Sequence, residues 1–178
     1  MSIYIVRHGE TNLNKEKRLQ GRQSEESLND RGVIQAEILA KQLSEVDFDI
    51  VISSPQKRAI QTAKIISGMN PEVNSKIDVF DLGTSDKIKK DEVDLIEGIP
   101  NPKVYHGVEN IQDYISRIRT FMDNIKKIKN VKNLNILIVG HKCTTVGIDA
   151  YFNDFVNLKE SMQKALNNGE YKKYQFDK

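Results

Sequence analysis

Three short apolar runs, at residues 2–6, 48–53 and 134–139, each break off at polar residues, and long stretches with helical spacing separate them. Short runs rich in Ile and Val are what strands buried in a covered sheet look like. Strands that alternate with helices assemble into a mostly parallel sheet with helices on both faces. The expected fold is therefore α/β, a three-layer α/β/α sandwich. Helical spacing is clearest in Val33, Ala36, Ile38, Leu39, Ala40 and Leu43, with Asn29 or Asp30 available as the cap. A second helix carries Ala59, Ile60, Ala63, Ile65 and Ile66, and Pro55 suits its first turn. A third is predicted over 109–129, where Ile111, Tyr114, Ile115, Ile118, Phe121, Met122 and Ile125 share one stripe and the lysines from 126 to 132 suit a C-terminus. A weaker strand is predicted at 76–80 and an edge strand at 172–176.

Residues 81–108 show no period and contain Gly83, Gly98, Pro100, Pro102 and Gly107. An irregular segment of that length inside a compact domain usually serves as a lid or binding loop. Nothing resembling a repeat or linker divides the chain, so 1–178 reads as a single domain. With 38% hydrophobic and 29% charged residues, disorder and collagen are excluded. Lys plus Arg number 27 against 25 acidic residues, and a net charge of +2 gives no bulk attraction to nucleic acid. No apolar run approaches the roughly 18 residues of a membrane span, and the first residues lack a charged leader, so a cytoplasmic protein without membrane partners is expected. One cysteine, Cys143, and three histidines provide no zinc-like cluster. Cys143 reads as a small buried filler, and the basic stretch Lys87 to Lys90 as a solvated face, or as a basic loop favouring substrates with extra negative charge.

In open α/β sheets ligands bind beyond the carboxyl ends of the strands. Arg7 and His8 follow the first strand, Ser53 and Ser54 lead from the second towards Arg58, and His141 follows the strand at 134–139. Two arginines and two histidines converging on one crevice suit a phosphoryl group: guanidinium forks bind its oxygens and a neutral imidazole can attack phosphorus. A second, protonated histidine can donate to the same oxygens.

The stretch Arg7, His8, Gly9, Glu10, Thr11 with Asn14 resembles the RHG(E/Q)(T/S)xxN motif of the histidine phosphatase superfamily, phosphoglycerate mutase-like branch. Arg18, Gln20 and Gly21, then Leu28 to Ala36, are similar to its RxQG and LTxxGxxQA segments. Ser53 to Ala63 is similar to its SSxxxRAxQTA helix start. Gly107, Val108 and Glu109 resemble its GES element, and Val139, Gly140 and His141 its V(S/G)H strand end. The resemblance is collinear from residue 3 to about 150 and most specific over the first third of the chain.

It implies a phosphoglycerate mutase-like fold and a metal-independent phosphatase, without cofactors, acting on a small phosphorylated metabolite through a phosphohistidine on His8. Arg7, Arg58 and His141 would hold the phosphoryl group, Asn14 would add a hydrogen bond, and Thr11, Gln20 and Gly21 would border the site. Mutase activity, a phosphoprotein (phosphohistidine) phosphatase and a weakly active phosphate-binding domain are the alternatives; the short chain has little room for a mutase's insertions. The chain departs from the pattern at two places. Counting back from Gly83, Val79 stands where the family commonly has the glutamate that protonates the leaving group; Asp81, then Asp78, are the nearest replacements, with Asp86, Asp91 and Glu92 in the loop beyond. After His141 the family's Gly-Gly and following Arg are replaced by Lys142, Cys143 and Val146, so that Lys142 either meets a phosphate oxygen or narrows the pocket. A monomer or homodimer is expected.

Overall fold

The computed structural model describes residues 1–128, 134–153 and 158–176. In chain order the elements are β1 (Ser2–Arg7), α1 (Asn12–Lys15), α2 (Asp30–Gln42), β2 (Ile50–Ser53), α3 (Lys57–Ser67), β3 (Glu72–Val73), the antiparallel pair β4 (Leu95–Ile96) and β5 (Ile99–Pro100), α4 (Ile111–Lys126), β6 (Asn135–Gly140), α5 (Lys142–Phe152), α6 (Leu158–Gln163) and β7 (Tyr171–Gln175). The main sheet has the order β3-β2-β6-β1-β7. Four strands run parallel, and β7 closes the edge antiparallel to β1.

The alternation along β1 and β6 divides the core in two. Ile3, Ile5, Ile136 and Ile138 point to one face, where Ile118, Phe121, Met122 and Ile148 of α4 and α5 cover them. Tyr4, Val6, Leu137 and Val139 point to the other, against Leu39 of α2 and Ala59, Ala63 and Ile66 of α3. This is the expected three-layer sandwich. Each of these large apolar side chains contributes about 1.5–3 kcal/mol by leaving water, so the two central strands are the most strongly held part of the molecule.

Asn29 caps α2 as expected, its side chain accepting from Gly32 N–H at 2.8 Å. Ile38, expected in the apolar stripe, is 49% exposed because the buried face is narrow and led by Ala36 and Leu39. Pro55 lies before the N-cap Gln56 and outside α3. Residues 76–80 are not a strand. Asn74 accepts from Lys76 N–H and turns the chain through a 3-10 turn at Ser75–Ile77, leaving Glu72–Val73 to pair with β2. The segment 81–108 is not wholly irregular either, since β4 and β5 form a small hairpin whose turn residues Glu97 and Gly98 both have positive φ. The third helix is shorter than expected, and the lysines of its predicted end beyond Ile128 lie outside the described residues. The edge strand forms at Tyr171–Gln175. Among the described residues no helix is long and apolar enough to cross a membrane.

Candidate active site

Parallel register brings distant residues together. Arg7 is opposite Gly140, and the N–H of His8 donates to Gly140 O at 3.0 Å, so His8 and His141 emerge side by side with ring centroids 5.2 Å apart. Ser54 N–H donates to Val139 O, which adds the end of β2 to the same edge. The chain leaves β1 for α2 on one face and β6 for α5 on the other. The crevice that opens where the connections part is the usual ligand position in such sheets.

The two rings are held differently. His8 Nδ1 lies 2.7 Å from Gly9 O; a carbonyl only accepts, so Nδ1 carries the proton and Nε2 the lone pair. His141 Nε2 lies 2.7 Å from Ser54 Oγ, and Ser54 donates onward to Asp78 Oδ1 at 3.2 Å. The serine therefore accepts from Nε2–H, and the buried Nδ1 of His141 is without a protein partner. Burial, then the charges of Arg58 and Arg7, hold His8 well below the ordinary imidazole range; burial and Arg58 act likewise on His141. Both rings are neutral at neutral pH. An incoming dianion reverses the arginine contribution and raises the affinity of His141 for a proton.

Arg7 is fixed through Nη1, which donates to Leu166 O at 3.0 Å, while its buried Nε has no partner. Arg58 is buried within the floor, donating to the carbonyls of Ser24 (3.2 Å) and Gly21 (3.3 Å), again with Nε unpartnered. Burial lowers both guanidinium pKa values to about 10, so both remain cations at neutral pH. Gly9 serves through close approach: a Cβ there would sit 2.4 Å from Gly32 O, and one on Gly32 would sit 2.1 Å from Glu10 O. Gly9 itself has no positive φ, so it is the close approach and not the backbone conformation that requires glycine there.

A cavity of about 510 Å³ opens above the two histidines. Arg7, His8, Asn14, Gln20, His141 and Lys142 line it, as their place in the sequence leads one to expect. Thr11, Gly21 and Arg58 do not reach its surface. Thr11 caps α1 and donates to Gln20 Oε1, and Gly21 O holds Arg58. Asp81 is also absent from the lining: its Oδ1 accepts from Gly83 N–H at 3.0 Å and its Oδ2 lies 3.6 Å from Arg22. Asp78 is committed to Ser54, to Gln56 and to the N–H of Val79, and Asp86 to the N–H groups of Gly21 and Gln23. Among the described residues the lining contains no carboxylate. Val79 does line it, alongside Phe80, Leu82 and Tyr114.

The wall is tied by Glu109. Its carboxylate accepts from Arg117, from Arg22 and from Asp81 N–H, and although burial opposes it, the bonds from Arg117 and Asp81 hold the Glu109 carboxyl below its ordinary range. Cys143 is only partly buried; its Sγ accepts from Phe80 N–H at 3.4 Å, and it faces the cavity together with Val146.

Three contributors escape sequence reasoning. Asn168 Nδ2 donates to His8 O and to Asn14 Oδ1, yet in sequence it belongs to a plain Asn-Asn-Gly turn. The Ser54 to Asp78 link joins residues with no shared pattern. Lys90 lines the cavity, where sequence favours a solvated face; the bridge between Arg18 and Lys89 carries it inward.

Residues 3–177 match the model of the histidine phosphatase superfamily (branch 1). The chain belongs to that superfamily. It is 29% identical over 167 residues to phosphoserine phosphatase 1 of Hydrogenobacter thermophilus, covering 84% of this chain and 78% of that one. It is 28% identical over 153 residues to a protein of Erwinia tasmaniensis named probable phosphoglycerate mutase GpmB, covering 79% and 69%. Among solved structures, the α-ribazole phosphatase of Shigella flexneri superimposes with a TM-score of 0.82 at 23% identity, over 99% of this chain and 91% of that one. The likeness confirms the phosphoglycerate mutase-like sandwich.

Proposed function

We propose that the chain is a phosphoric monoester hydrolase that works through His8. The observation that carries this is the Nδ1–H to Gly9 O bond, which leaves a lone pair on Nε2 of a ring lining the cavity. Nε2 attacks phosphorus, the bond from phosphorus to the leaving oxygen breaks, and Nδ1–H shares the positive charge of the phosphorylated ring with Gly9 O. The leaving oxygen takes a proton from solvent; water then attacks the same phosphorus, regenerates the neutral imidazole and returns a proton to solvent. Arg7 and a protonated His141 neutralise the equatorial oxygens in both steps, and Arg58 adds its charge from beneath. Asn14 donates to the phosphoryl group, and Gln20, whose Nε2 has no partner, offers a further donor. Thr11 and Gly21 act by positioning. Names of the relatives support hydrolysis of a small phosphorylated compound, and the segment at 81–108 supplies the wall that selects it.

Hydrolysis of p-nitrophenyl phosphate with EDTA present, in wild type and His8→Ala, is the test. Turnover is expected to fall by about a thousandfold or more in the variant, the usual scale for losing a nucleophile. Wild-type enzyme quenched in alkali should carry an acid-labile phosphate that the variant lacks. A folded His8→Ala that keeps a tenth of the activity, or labels equally, would overturn the proposal; transfer to a second substrate molecule in place of water would turn it into a mutase.

A further inference from the structure

Charge in the cavity is one-sided. Besides Arg7 at the floor, Arg18, Lys90, Arg119 and Lys142 line it, Arg18 already paired with Glu16, and no aspartate or glutamate among the described residues joins them. Neither ammonium has an ion-pair partner among the described residues. Lys90 is presented by a fastened turn: its N–H donates to Lys17 O at 3.0 Å, and Lys89 beside it bridges to Arg18. Burial and the field of Arg7 lower the basicity of both lysines, and Lys142 lowers that of Lys90 as well. Holding like charges together in partly desolvated space costs free energy that an anion offsets.

One phosphoryl group is already served by His8, Arg7, His141 and Asn14 at the floor. Resting on the phosphatase reading above, we infer that Lys90 and Lys142 form a second anion site, and that the substrate is a phosphate ester with another anionic group, an apolar body and no ammonium. The body lies against the carbon surface of Val79, Phe80, Leu82 and Ile115, which line the same cavity. A substrate ammonium, such as that of the phosphoserine in the name of one relative, would meet lysines and no carboxylate here.

Four aryl phosphates with phenol leaving groups of similar basicity test this: phenyl phosphate, 4-carboxyphenyl phosphate, 1,4-phenylene bisphosphate and 4-(aminomethyl)phenyl phosphate. In wild type, kcat/KM for the carboxylate or the bisphosphate should exceed that for phenyl phosphate by about tenfold, mostly through KM, and the ammonium compound should fall below it by about threefold. Whichever of the first two is preferred identifies carboxylate or phosphate as the second anion. Lys90→Gln, checked for an unchanged melting curve, should bring the ratio between anionic and plain substrate to near one, and Lys142→Gln should reduce it. A wild-type enzyme indifferent to the added charge, or a preference that survives both substitutions, overturns the second site. If none of the four compounds is turned over and no phosphoenzyme forms, it is the phosphatase reading that fails; calorimetric titration with the same compounds then reads the anion site alone, and equal Kd values would overturn it.

Discussion

The floor of the cavity and its wall are built on different principles. Much of the floor leans on strand ends, His8 on Gly140, Ser54 on Val139 and His141 on Ser54, while Arg7 rests on Leu166 and Arg58 on Ser24 and Gly21. The wall, from Val79 to Pro100, is held by arginines that donate to backbone carbonyls and by a two-residue hairpin, and Leu95 and Ile96 stay substantially exposed. A floor fastened to the most buried strands keeps two neutral histidines and two arginines in one arrangement. A wall fastened mostly to backbone can change its side chains without disturbing that arrangement. On the proposed function, chemistry and selection are thereby separated in space.

Breaking the floor should be far more damaging than breaking the wall. Beyond loss of His8, the largest effect is expected from Gly9→Ala, since backbone on the facing segment cannot swing away; overpacking there should cost about 1–3 kcal/mol or more and remove most activity, read by melting temperature and turnover. Ser54→Ala leaves His141 Nε2–H without its acceptor, and kcat should fall by about tenfold to a hundredfold with KM little changed, as expected for a mispositioned group. Ser54→Thr should restore part of it; an equal loss in Thr and Ala would deny the hydroxyl its role.

A pH scan sharpens the same contrast. His8 and His141 are neutral in the native state with depressed pKa values, whereas in the unfolded chain they titrate near the ordinary value of about 6.5. Below that pH the unfolded state binds more protons, so stability of the free protein should decline as pH falls through 6.5 towards the lowered native values. Denaturant midpoints should show a drop that His8→Ala reduces; a midpoint flat from pH 7 to 5 would contradict the assignment. The smallest effect belongs to the wall: Asp81→Asn should cost about threefold or less, equally for poor and activated leaving groups, because its carboxylate is occupied by Gly83 N–H and Arg22. A selective loss on poor leaving groups would show that Asp81 swings into the cavity as the acid.

The contrast also governs what could be read from residues alone. His8, Arg7 and His141 stand at the ends of runs whose apolar character marks them as strands, so their convergence follows from sheet topology. Arg58 was legible as a partner of that site but not as a residue enclosed by Ser24 and Gly21 carbonyls, because backbone acceptors carry no side-chain signature. The helix α5 went unread since Thr144, Thr145 and Gly147 disfavour helix locally, and packing against Ile118 supplies what propensity does not. Lys90 looked solvated for want of any local sign of the β-bridge that carries it inward. The strand expected at 76–80 lies instead at Glu72–Val73 because a single Asn74 side chain, not hydrophobic pattern, decides where the chain leaves the sheet.

The bonds from Arg7 to Leu166 and from Asn168 to His8 span 159 and 160 positions. A ribosome makes the His8 loop at the beginning and its last fasteners only between α6 and β7. The central sheet and the cavity floor are therefore completed close together in synthesis, since β6 joins β1 to β2 only shortly before Asn168 is made.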